Sequence, residues 1–251
     1  MYKIPQLLKY KYLFHVFSDK SDGNMANSIN GVVNDFEKVS ENRAHFLNNI
    51  DVDIKSTVCM WVTHGDEIID ADPKLAGVSI LDYHKAVKVD GLITDKKEIY
   101  LFLLIADCLP IIIYDPVNNV VALVHAGWKG VDKNIAGKVV EKFKSKYNSK
   151  IGDLVVGIGP SVHQDSFIKV NPSQKDDPRW KDFMHKIAGD QFKVDLQGFV
   201  KKQLIDSGVS KNNFFESGID TAKDERFFSH VREHNLPISQ QGRFACIVGL
   251  R

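Results

Sequence analysis

Two apolar, β-branched runs that stand close together constrain the fold of this chain more than any other feature. They are Leu109–Asp115, which reads LPIIIYD, and Val120–Ala126, which reads VVALVHA. The segment that joins them, DPVNN at residues 115–119, contains a proline and two asparagines, which are typical turn residues. The pattern therefore predicts a β-hairpin with a short loop, whose two strands are both buried.

The hairpin also predicts which side chains meet. With the loop centred on Val117, His125 is expected opposite Leu109 and one step from Cys108. Facing side chains on paired strands have Cβ atoms about 5 Å apart. We therefore expect Cys108 and His125 to be neighbours at the open end of the hairpin, where the apolar strands give way to polar and glycine-containing chain.

A third side chain could join this pair. His64 follows a β-rich run at residues 57–63 and lies in a His-Gly-Asp turn. One thiolate and two imidazoles are ligands that zinc and copper accept, and three protein ligands leave one tetrahedral position open, as in catalytic zinc sites. The residues thus indicate a metal site formed by His64, Cys108 and His125.

Two other interpretations of Cys108 stay open at this point. His125 could deprotonate the thiol, which would then act as a nucleophile without a metal. Alternatively, Cys108 could simply pack in the core, as most cysteines do. The neighbouring Asp107 favours a functional role, because a carboxylate between two apolar strands is costly unless it has a partner.

The rest of the chain alternates between helical and strand patterns. Apolar spacing predicts helices over residues 34–48, 131–147 and 194–207, and strands over 57–63, 99–105, 154–158 and 244–250. Neither an internal repeat nor a linker divides the sequence. We therefore predict a single α/β (α+β layered) domain over residues 1–251, with a mixed β-sheet covered by helices.

Composition excludes several classes of protein. Lys and Arg total 33 against 32 Asp and Glu, a formal charge of +1, which gives no electrostatic basis for binding nucleic acid. The longest apolar stretch, residues 101–114, is too short to cross a membrane, and the N-terminus lacks the pattern of a secretion signal. Three cysteines without a CxxC pair suit a reducing cytoplasm, which is the expected location. The motifs of nucleotide-binding loops and of zinc nucleobase deaminases are missing from the sequence.

Six short motifs, taken together and in order, resemble the YfiH-like family, often labelled polyphenol oxidase or multicopper oxidase laccase domain. The resemblance covers the chain from about residue 14 to the C-terminus and is strongest over residues 61–130. The motifs are Thr63-His64-Gly65, Asp90-Gly91-Leu92-Ile93-Thr94, Ala106-Asp107-Cys108-Leu109-Pro110, Tyr114-Asp115-Pro116, His125-Ala126-Gly127-Trp128-Lys129-Gly130 and Gly157-Ile158-Gly159-Pro160.

The resemblance implies a YfiH-like fold and a zinc site at His64, Cys108 and His125, with Cys108 and His125 in the catalytic centre; copper accepts the same ligands. It implies purine nucleoside and phosphate as partners, because family members phosphorolyse adenosine, inosine, guanosine or methylthioadenosine, and also deaminate adenosine. Older descriptions of the family give copper-dependent oxidation of phenols. Some bacterial members are tied to the editing of peptidoglycan precursors.

Three basic residues match basic positions of the family and are expected to contact phosphate. Arg43 matches an Asn-Arg pair, Lys129 the basic position after His-Ala-Gly-Trp, and Arg243 a late Gly-Arg pair. Three segments depart from the family, one of them Asp220-Thr221 in place of a Cys-Thr pair. A paired-cysteine segment is replaced by SVHQDSF at 161–167, and Ser-Tyr-Arg-Arg becomes SHVR at 229–232.

The main hypothesis from the sequence is a metal-dependent purine nucleoside enzyme. The first alternative is a metal-free Cys108–His125 hydrolase or amidase acting on a peptidoglycan precursor or a similar amide, which would leave His64 without a role. The others are a copper-dependent polyphenol oxidase, which would need more ligands than one Cys-His-His site offers, and a non-catalytic nucleoside-binding protein. The sequence carries no signal for an oligomeric state.

Overall fold

The structure, a computed structural model, describes residues 1–29 and 31–251 of the chain. Long buried strands occupy the middle and the end of the sequence, and short strands lie between them. The strands are β1 (Leu13–Phe17), β2 (Ser28–Ile29), β3 (Val32–Val33), β4 (Thr57–Cys59), β5 (Ile68–Asp70), β6 (Gly91–Thr94), β7 (Tyr100–Ile105), β8 (Leu109–Asp115), β9 (Val120–Ala126), β10 (Val155–Ile158), β11 (Ile168–Val170), β12 (Met184–Lys186), β13 (Gln191–Val194), β14 (Phe214–Glu216) and β15 (Phe244–Leu250).

Three of the α-helices are long enough to cover a sheet, and the others are single turns or little more. The helices are α1 (Phe36–Asn49), α2 (Val78–Leu81), α3 (Trp128–Asp132), α4 (Ile135–Tyr147), α5 (Leu196–Asp206) and α6 (His230–Glu233). Within residues 1–29 and 31–251, none of the helices has the length and apolar character that a membrane span requires.

Two mixed sheets form the centre of the molecule. The larger has the strand order β14-β10-β8-β9-β6-β5, with the β8–β9 hairpin in the middle, and the smaller has the order β1-β15-β7-β4. Each sheet combines antiparallel pairs with parallel ones, such as β5 with β6 and β4 with β7. Short strands form two minor sheets, β11-β13-β12 and β2-β3.

The hydrophobic side chains define four layers, because both faces of each main sheet are covered. Side chains of β8 and β9 such as Ile112 and Leu123 share a core with Leu103 of β7 and Val248 of β15, so the two sheets pack on each other. The opposite face of the six-stranded sheet packs under α4 and α5, and the outer face of the four-stranded sheet packs under α1. The predicted α/β class with helices over mixed sheet is confirmed, with two main sheets in place of the one expected.

The hairpin is confirmed, but its predicted register is wrong by one residue. Pro110, rather than Leu109, lies opposite His125. Since successive side chains of a strand point to opposite faces, the predicted register would have placed Cys108 and His125 on different faces of the sheet. In the observed register, Cys108, Pro110 and His125 share one face. Cys108 and His125 are therefore neighbours, as predicted, although the strands pair in a different register from the predicted one.

Two further elements differ from their predicted bounds. The helix predicted over 131–147 is divided, because Asn134 adopts a left-handed conformation with φ 57° and its side chain caps the start of α4 by accepting from the N–H of Gly137 at 3.2 Å. The strand predicted over 57–63 ends at Cys59. Residues 60–64 then leave the four-stranded sheet, which brings His64 towards the hairpin of the other sheet.

Candidate metal centre

Three side chains from separate segments converge where the hairpin opens. His125 ends β9, Cys108 immediately precedes β8, and His64 lies in the loop after β4; their ligand atoms all lie within 4.8 Å of one another. Ligands of a tetrahedral zinc ion are roughly 3.3–3.6 Å apart, given bonds of about 2.0–2.3 Å. Adjustments of about 1 Å would therefore close the three residues around an ion. The imidazole rings already stand at 88° with centroids 4.9 Å apart.

Asp90 organises two of the three ligands, a role that sequence reasoning missed. Its carboxylate is fully buried at the start of β6. One oxygen, Oδ1, accepts hydrogen bonds from Nδ1 of His125 at 2.8 Å and from the backbone N–H of His64 at 2.9 Å. Because Nδ1 of His125 donates to Asp90, Nε2 is the ring nitrogen left for a further partner, such as a metal ion. The signals in the sequence are the place of Asp90 in a family motif and a carboxylate next to an apolar strand.

The second oxygen of Asp90 fixes the turn that carries His64. Oδ2 accepts from the backbone N–H of Gly65 at 2.8 Å and from both the N–H and the hydroxyl of Thr63. His64 itself has φ 57°, in the left-handed region that L-residues seldom occupy. Hydrogen bonds on both sides of it hold that conformation, so the imidazole is positioned before any ion binds.

Gly127 leaves the space in which the three ligands approach. A Cβ atom at this position would lie 3.0 Å from Sγ of Cys108 and 3.4 Å from ring carbons of His125 and His64. The backbone of Gly127 has φ −79°, which any residue can adopt. Glycine is therefore favoured here for space rather than for conformation, and the site contains a cradle in which a methyl group would press on all three candidate ligands.

The charges of the centre favour a thiolate beside a protonated imidazole. Burial alone would raise the pKa of Cys108, but attraction to His125 and hydrogen bonds with His125 and His64 bring it below the usual thiol value. Burial opposes the charged form of His125 too, yet the nearby thiolate and Asp90 raise the pKa of the imidazole. A thiolate is the form of cysteine that binds metals and attacks substrates, so the site presents Cys108 in its reactive form.

Asp107 has partners that explain its burial. Its carboxylate accepts from the hydroxyl of Thr221 and from the backbone N–H of Val231, both at 2.6 Å. Its own φ is 83°, so the chain turns sharply just before Cys108. Asp107 thus ties that turn to the segment around α6, and it positions Cys108 without joining the ligands.

A cavity of about 320 Å³ lies beside the centre, and His64 forms part of its wall. Two of the three predicted phosphate contacts, Arg43 and Arg243, line the same cavity. The third, Lys129, is exposed on α3 and is not among the residues that line it. Arg43 and Arg243 are 200 positions apart in sequence, so only the tertiary structure could bring both to the candidate centre.

Both guanidinium groups keep their charge available. Arg43 is buried and donates from Nε to the carbonyl of Met25 at 2.9 Å and from Nη1 to the carbonyl of Ile80 at 2.8 Å. Burial lowers its pKa, although it stays a cation. Arg243 donates from Nη1 to the carbonyl of Gly242 at 2.8 Å. Within residues 1–29 and 31–251 neither forms an ion pair with a carboxylate, so both guanidinium groups can still bind an anion in the cavity.

The fold and the centre place the chain in a known class. The family model described as multi-copper polyphenol oxidoreductase laccase matches residues 15–251, and the protein belongs to this family. A purine nucleoside phosphorylase, YlmD of Bacillus subtilis, is 30% identical over 219 residues, which is 85% of this chain and 77% of YlmD. An adenosine deaminase, RL5 of an unknown prokaryotic organism, is 28% identical over 74% of this chain and 73% of its own length.

Solved structures show the same architecture. The crystal structure of YlmD from Geobacillus stearothermophilus superimposes with a TM-score of 0.86 at 26% identity, covering 96% of this chain and 93% of that one. A hypothetical protein YfiH of Bacillus licheniformis gives a TM-score of 0.84 at 24% identity, covering 95% of this chain and 93% of its own. The YfiH-like fold expected from the sequence motifs is therefore confirmed over nearly the whole chain.

Proposed function

We propose that the protein is a metal-dependent purine nucleoside phosphorylase with zinc at His64, Cys108 and His125. The observation that carries this proposal is the meeting of three candidate ligand side chains, one of which, His64, lies in the wall of a cavity that Arg43 and Arg243 also line without carboxylate partners. The phosphorylase activity of the YlmD relatives supports the same assignment. A metal site beside two cations suits a reaction between a neutral nucleoside and an anion.

The reaction needs phosphate held next to the nucleoside. A phosphate oxygen forms a bond to C1′ of the ribose while the bond from C1′ to the base nitrogen breaks; the base leaves with that electron pair and takes up a proton. Arg43 and Arg243 would bind the phosphate through charge-assisted hydrogen bonds and screen its charge. When bound, zinc would supply a Lewis acid that polarises a substrate oxygen and fixes its position. Asp90 would keep His125 and His64 in place throughout.

The test measures base release and metal content on the same preparations. Protein purified without a metal-affinity column is expected to carry about one ion per chain by elemental analysis, and to release hypoxanthine from inosine only when phosphate is added. His64→Ala and Cys108→Ala should lose the ion and the activity together. The matched control is His185→Ala, since His185 is an exposed histidine on β12. Full activity in folded, metal-free protein would contradict the proposal.

Deamination of adenosine is a second reaction that the same centre supports, because the RL5 relative is named for it. It replaces the amino group at C6 with oxygen from water and releases ammonia, so it requires no phosphate. Adenosine incubated with the protein in phosphate-free buffer should then yield inosine and ammonia. Inosine formation that stops in His64→Ala assigns the deamination to the centre, and adenosine left intact excludes it.

A metal-free cysteine hydrolase is the main competing function, and one observation favours it. Cys108 is attracted to His125, and His125 is hydrogen-bonded to Asp90 at 2.8 Å, so thiol, imidazole and carboxylate follow one another as in an activated nucleophile. If it is correct, iodoacetamide labels Cys108 and abolishes activity towards an amide, and a chelator changes nothing. Cys59 and Cys246 are internal controls, because burial raises the pKa of both thiols.

The same preparations separate the two remaining possibilities raised by the sequence. A copper-dependent polyphenol oxidase would consume oxygen with a phenol after copper loading and would lose that activity in Cys108→Ala. A non-catalytic nucleoside-binding protein would bind inosine in calorimetry and release no base over many hours. Phosphate-dependent release of base from inosine would contradict the non-catalytic binding function.

A further inference from the structure

A buried amide without a partner lies in the wall of the cavity. Asn27 is 5% exposed, and its side-chain Oδ1 has no hydrogen-bond partner among residues 1–29 and 31–251. Asn27 lines the same cavity as His64 and the two arginines. Native proteins rarely leave a buried carbonyl oxygen unpaired, so an unpaired amide oxygen in a residue of the cavity wall points to a partner that the protein alone does not supply.

The backbone around Asn27 is held firmly. Its carbonyl accepts from the N–H of Asn34 at 2.8 Å. The preceding residue, Ala26, donates its N–H to Oδ1 of Asn24 at 3.0 Å and accepts from Nδ2 of Asn34 at 2.8 Å. The backbone that carries the amide of Asn27 is therefore held in place at the cavity wall.

A flat aromatic surface lines the same cavity. Trp61 and Tyr83 stack on each other with ring centroids 5.7 Å apart and planes at 27°. Trp61 keeps 37% of its surface exposed, so its ring system has room for a further planar group. Purine bases stack on aromatic side chains whatever their substituents, because each base presents a π-face. The surface supplies affinity for a base, and a separate polar group must identify it.

We propose that Asn27 pairs with the hydrogen-bonding edge of the six-membered ring of a purine base that lies against Trp61. The inference rests on the proposed nucleoside activity and adds the residue that selects the base. A side-chain amide offers a donor and an acceptor side by side. Adenine offers an amino donor beside a ring-nitrogen acceptor, and hypoxanthine offers the O6 acceptor beside the N1–H donor. A half-turn of the amide matches either base, so Asn27 accepts both 6-amino and 6-oxo purines.

The first experiment removes the amide and keeps its volume. Asn27→Leu is assayed with inosine, adenosine and purine riboside, which has no substituent at C6. We expect kcat/KM to fall about 10- to 100-fold for inosine and adenosine and about 3-fold or less for purine riboside. Metal content and the KM for phosphate should not change. The matched control is Asn212→Leu, because Asn212 is exposed and does not line the cavity.

The second experiment changes the pattern of donors and acceptors. Asn27→Asp places two acceptors where the amide offers one, and guanine presents two adjacent donors, N1–H and the amino group at C2. The variant should therefore gain about 10-fold or more for guanosine relative to inosine. A folding defect lowers all substrates together and cannot reverse a preference. Trp61→Leu should instead lower kcat/KM by the same factor for all purine nucleosides, because stacking does not depend on the substituents of the base.

The outcomes separate this inference from the proposed function. If wild-type protein releases base but Asn27→Leu leaves the ratio of inosine to purine riboside unchanged, and Asn27→Asp does not favour guanosine, the role of Asn27 is wrong and the activity stands. If wild-type protein, loaded with zinc and supplied with phosphate, releases base from no purine nucleoside, the proposed activity is wrong and the inference falls with it.

Discussion

Replacing Asp90 with asparagine tests the centre most directly, because this one carboxylate supports two of the three candidate ligands. Its two oxygens accept five hydrogen bonds, from Thr63, His64, Gly65 and His125. Asparagine keeps the size of the side chain but turns one acceptor into a donor. Two N–H groups that now face an oxygen would then face an NH₂ group.

The hydrogen bonds of Asp90 determine how much stability Asp90→Asn should lose. The less costly orientation puts the NH₂ group at the Oδ2 position, where the hydroxyl of Thr63 can reverse and accept. The N–H groups of Gly65 and Thr63 then lose their acceptor, while those of His64 and His125 keep a neutral one. Two lost bonds to a buried carboxylate correspond to a decrease of about 3–6 kcal/mol in the free energy of unfolding. Loosening of the support behind metal ligands typically weakens metal binding about 10- to 100-fold.

Two measurements check Asp90→Asn. Urea unfolding of chelator-treated protein gives the loss of stability without any contribution from metal. Competition with a chromogenic chelator gives the change in zinc affinity. The control is Asp53→Asn, because Asp53 only caps a helical turn by accepting from the N–H of Lys55 at 2.8 Å, which asparagine does equally well. A variant that matches this control within about 0.5 kcal/mol, with unchanged zinc affinity, would refute the role given to Asp90.

Three further changes test other parts of the argument. Gly127→Ala should weaken zinc binding about 10-fold or more. The control is Gly152→Ala, which has no atom within 4 Å of its added Cβ and should leave zinc binding unchanged. Equal zinc affinities of the two variants in the chelator assay would contradict the need for space at Gly127. Burial lowers the pKa of His15 to about 4, and its Nε2 accepts from the N–H of Ile4 at 2.9 Å. As the pH falls, the unfolded chain therefore takes up a proton at His15 before the folded protein does. The free energy of unfolding should be constant above about pH 6.5 and should fall by about 3 kcal/mol towards pH 4. His15→Gln keeps an acceptor that does not titrate, so urea unfolding should show a smaller fall with pH, and an identical pH profile would contradict this. Asn134→Ala removes the cap of α4 and strains a left-handed residue, so urea unfolding should show a loss of about 2 kcal/mol, and a change under about 0.5 kcal/mol would disprove the capping role.

Local patterns in the sequence were sufficient for the elements that carry the centre. The β8–β9 hairpin depends on β-branched residues beside a five-residue turn segment, and these act between near neighbours in the chain. The proximity of Cys108 and His125 follows from that hairpin. The register was wrong by one residue because the sequence does not fix the centre of the turn to better than half a residue. A shift of half a residue in the turn centre changes every facing pair by one residue, and side-chain direction alternates at each residue.

Longer-range features were predicted less completely. His64 was expected from its place after a β-rich run, although the strand it was thought to end stops at Cys59. The break at Asn134 was missed because the apolar spacing of a helix continues across it. The burial of Arg43, with two backbone carbonyls as partners, has no signal in the sequence, which predicts only a contact with phosphate.

The sequence by itself determined the hairpin, the α/β class and the pairing of a thiol with an imidazole, because each depends on residues close together in the chain. Tertiary structure alone decided that Asp90 holds His125, 35 positions away, and that Arg43 and Arg243 meet at one cavity with Asn27. The physical reason is that a strand or a turn is selected by local sterics and hydrogen bonding. The partners of a buried charge are selected by which strands pack side by side, and no short stretch of sequence encodes that choice.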